Sequence, residues 1–172
     1  MFHLSGRLLA ALLLLTAVAA PALALRAEGV AVSIDDGDSF ELRVAGRGRV
    51  AVRLHAIDAP ERLQAHGEAA RRALADAVAG RNVRIDCYKT DRRGRRVCRA
   101  WAGGDDLQLR MLEQGHAWHF TAYLDEQSEA ERQSYSSAQA RAREARRGLW
   151  VQAAPMPPWT CRERLRRLQP CR

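Results

Sequence analysis

Lysine is almost missing from this chain of 172 residues. Lys89 is the only one, so nearly all of the basic charge behind a formal +8 is carried by arginine. A guanidinium is a planar fork of donors that matches the oxygens of a phosphate, which an ammonium point charge does not. Also missing is any Cys-x-x-Cys pair, which argues against a zinc ribbon or a thioredoxin-like centre. Beyond the first two dozen residues there is no apolar run long enough to cross a bilayer, and no internal repeat. These absences leave a single compact, basic domain with short extensions. A basic surface alone can serve only solubility, but it also fits a polyanionic partner, nucleic acid above all.

Residues 1–24 have the pattern of a secretory signal. Arg7 is the positive end, Leu8 to Ala20 the apolar centre, and Ala22-Leu23-Ala24 the small-residue cleavage site. An uncleaved anchor is the competing reading, but the run is short and Pro21 interrupts it. Cleavage removes Arg7, the only charged side chain there, and leaves +7 on a chain in the periplasm or outside the cell, free of the membrane. Four cysteines then suit an oxidising compartment. They allow three pairings, of which one is favoured locally. If Thr90 and Arg95 flank a four-residue loop, Cys87 falls opposite Cys98 on the partner strand, leaving Cys161 with Cys171. Free buried thiols are the alternative.

Alternation of apolar residues predicts strands over 29–34, 40–44 and 50–54, then 83–87 and 97–101. Asp-Gly marks the first turn and Ala45-Gly46-Arg47-Gly48 the second. Three-and-four spacing predicts helices over about 67–79, 106–114 and 128–147, the last burying Tyr135, Ala138, Ala142 and Ala145. Pro155, Pro157 and Pro158 mark an irregular linker, and the basic tail after it has room for one or two helical turns. The fold class is α+β, a five-stranded antiparallel OB-fold β-barrel with three helices. The domain spans 25–150, and 151–172 is linker and Cys-containing tail.

The chemistry sits between Asp35 and Glu61. Asp36, Asp38, Asp58 and Glu61 crowd negative charge in a way folding alone does not reward, unless a hard cation is held between them. Asp38 and Asp58 are the leading metal ligands, and the Ala59 carbonyl can join them. Glu61 could hold a water as general base, and Arg53 and Arg95 could grip a phosphodiester. Taken singly, Asp-Gly-Asp is a hairpin turn, Pro-Glu a helix start, and each arginine a surface residue. His55, His116 and His119 form no recognised zinc spacing.

Order and spacing together decide the matter. Ile34-Asp35-Asp36-Gly37-Asp38-Ser39-Phe40, Arg53-Leu54-His55-Ala56-Ile57-Asp58-Ala59-Pro60-Glu61 and Asp91-Arg92-Arg93-Gly94-Arg95 resemble the signature regions of the staphylococcal (thermonuclease-like) nuclease family. Gly115-His116-Ala117-Trp118 and Gly148-Leu149-Trp150 extend the likeness over roughly 27–150. The resemblance implies calcium (Ca2+)-dependent, sugar-nonspecific cleavage of DNA and RNA to 3′-phosphate ends by a monomer. In it Asp38, Asp58 and Ala59 are metal ligands, Glu61 the base, and Arg53 and Arg95 the phosphate clamps. Arg92, Arg93 and Tyr123 become substrate contacts, with His119 as the alternative to Tyr123 against the base, and Asp36 stands behind the metal. This chain departs from the family in having Ala59 for Thr and Arg93 for an aromatic residue. The alternatives are a noncatalytic OB-fold module that grips nucleic acid, or a basic envelope protein binding acidic polymers.

Overall fold

The computed structural model describes residues 24–171, so the signal reading falls outside the described residues except for Ala24. Strands β1 (Leu25–Ile34), β2 (Ser39–Val44) and β3 (Gly48–Leu54) form a meander. The two-residue strand β4 (Ile57–Asp58) follows, then helix α1 (Gly67–Val78), β5 (Asn82–Thr90) and β6 (Arg96–Ala102). The sheet runs β3-β2-β1-β5-β6 through antiparallel pairs and closes on itself where β3 pairs β6 in parallel, with Arg53 opposite Val97. Closure of five strands makes a barrel and removes the open edges. A short β7 (Asp105–Asp106) extends it, and β8 (Trp118–His119) pairs with β4.

The barrel fills with the residues whose alternation predicted the strands. Phe40 and Leu42 from β2, Leu54 from β3, and Val83 and Ile85 from β5 are all buried. Helix α1 closes one end with Ala70, Leu74 and Ala77, and α2 (Leu107–Glu113) adds Leu107, Met111 and Leu112. Asp106 caps α2 by accepting a hydrogen bond from the Leu109 backbone N–H at 2.9 Å. Helix α3 (Glu129–Glu144) starts with a reciprocal cap between Ser128 and Glu131. It buries Tyr135, Ala138 and Ala142 as expected, whereas Ala145 lies exposed just past its end. The tail is more ordered than the composition suggests. Pro158 opens α4 (Pro158–Arg166), a nine-residue helix that is longer than the one or two turns expected and starts at the last residue of the expected linker.

The cysteines pair as expected, Cys87 with Cys98 and Cys161 with Cys171. Register explains the first pair, but by a different route from the even hairpin. Thr90 faces Arg96 rather than Arg95, and a bulge between Cys87 and Lys89 restores the alignment so that Cys87 meets Cys98. Tyr88 is the extra residue, and the bulge turns its ring toward the open end of the barrel.

Candidate active site

A cavity of about 570 Å³ opens where β3, β4 and the β5–β6 loop meet. Asp38, Arg53, Asp58, Ala59, Glu61, Arg92, Arg93, Arg95 and Tyr123 all line it, as does Asp36. Two local devices bring the carboxylates together. The pairing of Ser39 with Arg53 sets the β1–β2 turn beside the end of β3, and the Leu54 backbone N–H donates to the Asp38 carbonyl at 2.8 Å. Gly37 lets that turn sit against α1 and the β4 exit, since a Cβ there would come within 2.7 Å of both Ala59 Cβ and Ala70 Cβ.

One guanidinium joins the two turns. Arg53 Nη1 lies 3.0 Å from Asp38 Oδ1 and its Nη2 2.9 Å from Asp58 Oδ1. It also donates to the carbonyls of Leu54 and Ile57, which fixes the fork in place. Asp38 Oδ2 accepts from the Ala59 N–H at 2.6 Å, and the Asp36 carboxylate accepts from the Asp38 N–H at 2.9 Å, so Asp36 supports the turn from behind. Ser39 links Arg95, the second of the two expected clamps, to this group. Its hydroxyl donates to Asp38 Oδ1 and accepts from Arg95 Nη1 at 2.8 Å, while Asp91 holds Arg95 Nε.

Burial makes these carboxylates reluctant to ionise. It pushes Asp38 up to about 7, against the pull of Arg53 and with a further push from Asp36. Asp58 is raised for the same reason, opposed by Arg162 and Arg53. Two buried oxygen-donor carboxylates joined through one cation are hard-ligand chemistry of the kind calcium accepts. Among the described residues no group of three or more His, Cys, Asp or Glu side chains gathers for a metal. The rest of a coordination shell would therefore come from carbonyl, water or phosphate oxygens.

Of the two residues expected against a base, Tyr123 stands half-exposed at the rim, and Lys89 Nζ lies 4.4 Å above its ring. His119 does not reach the cavity, because it is buried and hydrogen-bonded to Gln127 at 2.8 Å. The histidines do not converge. His55 lines the cavity wall with Tyr88, whereas His116 pairs with His66 away from it.

Composition and spacing gave no sign of Arg162. It enters the cavity from α4 and donates to Asp58 Oδ1 at 3.0 Å, Asp58 Oδ2 at 2.7 Å and Glu61 Oε1 at 2.7 Å. Burial works against its charge, but Asp58 and Glu61 outweigh that and raise its pKa further. More than a hundred residues separate Arg162 from Asp58, and the tail's arginines all look alike in one dimension. Tyr88, Lys89 and Glu126, a hydrogen-bonded group that lines the same cavity, were equally unmarked.

The family model described as staphylococcal nuclease homologue matches residues 51–152. The chain is 36% identical over 111 residues to a "Probable staphylococcal-like nuclease" of Oryza sativa subsp. japonica, covering 64% of this chain and 32% of the rice protein. It therefore spans about a third of the length of that relative. An "Uncharacterized endonuclease" of Escherichia coli O157:H7 is 33% identical over 145 residues, 84% of this chain and 90% of its own length. One of Haemophilus influenzae is 32% identical over 136 residues, 78% and 73% of the two chains. With matched residues that run from β3 past α3 and hold every lining carboxylate from Asp58 onward, this chain belongs to the staphylococcal nuclease family.

Proposed function

We propose that the chain is an exported nuclease that hydrolyses phosphodiester bonds of DNA and RNA and leaves 3′-phosphate ends. One observation carries the reading. Asp38, Arg53, Asp58, Glu61 and Arg95 line the same cavity, each held by neighbours of opposite sign or by a hydroxyl. The relatives named as nucleases and endonucleases support it. Export rests on the pattern of residues 1–24. It is in keeping with two disulfides and with the fact that no helix among the described residues is long and apolar enough to cross a membrane.

Asp38 and Asp58, with the Ala59 carbonyl, would hold calcium, which when bound supplies positive charge to a phosphate oxygen. Arg53 and Arg95 bind the phosphodiester from two sides and stabilise the extra negative charge that develops as phosphorus becomes five-coordinate. Glu61, only part-buried, takes the proton from the attacking water as its oxygen bonds to phosphorus. The 5′-oxygen leaves with the bond's electron pair and is protonated by water. Arg92, Arg93 and Tyr123 at the mouth contact the neighbouring nucleotides.

Incubating DNA and RNA with the protein, with calcium or with chelator, and mapping the product ends tests this directly. Cleavage to 3′-phosphates with calcium only, falling by about 10²–10⁴-fold in Glu61→Gln, is expected. Binding without cleavage under any divalent ion would instead favour the noncatalytic module. The observation on that side is that Arg162 holds Glu61 and Asp58.

A further inference from the structure

Among the described residues the Arg162 guanidinium donates three hydrogen bonds, all to the two carboxylates on which the proposed chemistry depends. Its two Nη atoms each donate to one oxygen of Asp58, the bidentate pairing in which a guanidinium and a carboxylate match best. Arg53 already takes one Asp58 oxygen, so that carboxylate has three N–H donors on two atoms and little free lone-pair capacity. A divalent ion bound through the buried Asp58 carboxylate would stand beside the Arg162 charge, where water screens the repulsion between like charges less than at the surface. Glu61 is engaged in the same way, since its Oε1 accepts from Arg162 Nη1 at 2.7 Å and that lone pair is then not open to a water proton. Arg162 and a bound cation thus compete for the same oxygens.

The tail is built to hold this arginine in place. Gln64 accepts from the Glu61 backbone N–H at 3.1 Å and donates its amide to the Met156 carbonyl, tying the base to the strap that leads into α4. Trp159 packs edge-on against Trp118 of β8 at 5.6 Å and tilts against Phe120, the residue after that strand, at 5.7 Å. Cys161, the neighbour of Arg162, is buried and bonded to Cys171, which ties the helix to the end of the described chain. All of α4 lies beyond residue 152, where the family match stops.

We propose that Arg162 is an intramolecular competitor of the catalytic cation, so that α4 sets the calcium concentration at which the site fills. The inference rests on the nuclease reading for the identity of that cation. A guanidinium that holds the carboxylates about nine-tenths of the time raises the apparent Kd about tenfold.

Calorimetric titration of the full, chelator-stripped chain with calcium chloride tests it without reference to activity. Arg162→Ala and Arg162→Gln are expected to bind calcium about tenfold more tightly than the wild type. Arg164→Ala, which removes the same charge from an exposed position on α4, is expected to bind as the wild type does. Asp58→Asn in the Arg162→Ala background is expected to abolish the binding, which locates it at this site. Equal affinities in wild type and both Arg162 variants, each with an unchanged Tm, would overturn the competition and leave the nuclease reading standing. Equal tightening in Arg164→Ala, or binding that survives Asp58→Asn, overturns it as well. No calcium binding by any of the proteins would sink both readings together.

Discussion

His55 is 2% exposed and its partners dictate its tautomer. The Tyr88 hydroxyl donates to Glu126 at 2.8 Å, so its oxygen accepts from His55 Nδ1–H at 2.8 Å. That leaves Nε2 bare, and it has no hydrogen-bond partner among the described residues. Burial, with Arg99 adding to it and Glu131 and Glu126 opposing, pushes the imidazole down from 6.5 to about 4. The unfolded chain therefore takes up a proton at a pH where the folded chain still refuses it. Stability falls as pH drops below 6.5 and levels off near 4, an upper limit of about 3 kcal/mol for this one group. Glu131, held down to about 2 from 4.5 by Arg99 and the Ser128 cap despite burial, extends the loss from 4.5 downward. Urea denaturation at pH 7, 5.5 and 4 is expected to show His55→Gln losing less stability over that range than the wild type. Parallel slopes would mean that the imidazole is not the group responsible. Gly37 sets a second test at this scale. An added Cβ would force the turn away from Ala59 and Ala70, so Gly37→Ala is expected to cost about 1–3 kcal/mol, read as a lower Tm.

Strands and helices were legible wherever one period ruled the residues. Phe40, Leu42 and Val44 announced β2, and Ala70, Leu74 and Ala77 announced α1, because each set faces one core. The Tyr88 bulge was not legible, since one extra residue in a strand leaves the neighbouring alternation intact and shows only in the register. Parallel closure of β3 on β6 depends on curvature summed over the whole sheet, which no local pattern records. Among the proposed site residues, those on turns carried a motif, whereas Arg162 reaches the cavity only through tertiary packing. Helix α4 thereby acquires a testable part. Replacing Cys161 and Cys171 together by serine frees the end of α4 while Trp159 still packs on Trp118. Calcium affinity in that variant is expected to fall between wild type and Arg162→Ala. The barrel's unfolding midpoint should move by less than in a Cys87→Ala/Cys98→Ala variant, whose bridge ties β5 to β6 inside the core. A wild-type calcium affinity after loss of the Cys161–Cys171 bridge would show that the aromatic packing alone holds the helix.

For the molecule as a whole, charge is the property that nucleic acid would meet first. The full sequence carries +8, and at the mouth of the cavity Arg92 and Arg93 are exposed on the β5–β6 loop. Deeper in, Arg53 and Arg95 are committed to Asp38, Asp58 and Asp91, so the uncompensated field comes from the rim. Phosphates that bind there release counterions, and affinity must fall as salt rises. Each phosphate contact adds about 0.7 to the slope of log K against log salt for a single strand. Fluorescence anisotropy of a labelled single-stranded DNA, in chelator to prevent cleavage, is expected to show a smaller slope in Arg92→Ala/Arg93→Ala, by about 1.4 if both contacts are made. Arg162→Ala, by contrast, removes a charge already neutralised by Asp58 and Glu61, and its slope is expected to stay close to that of the wild type. If the Arg162 variant lost as much slope as the loop variant, the guanidinium would be spending its time on phosphate rather than on the carboxylates. The electrostatic division between a binding rim and a self-paired centre would then be wrong.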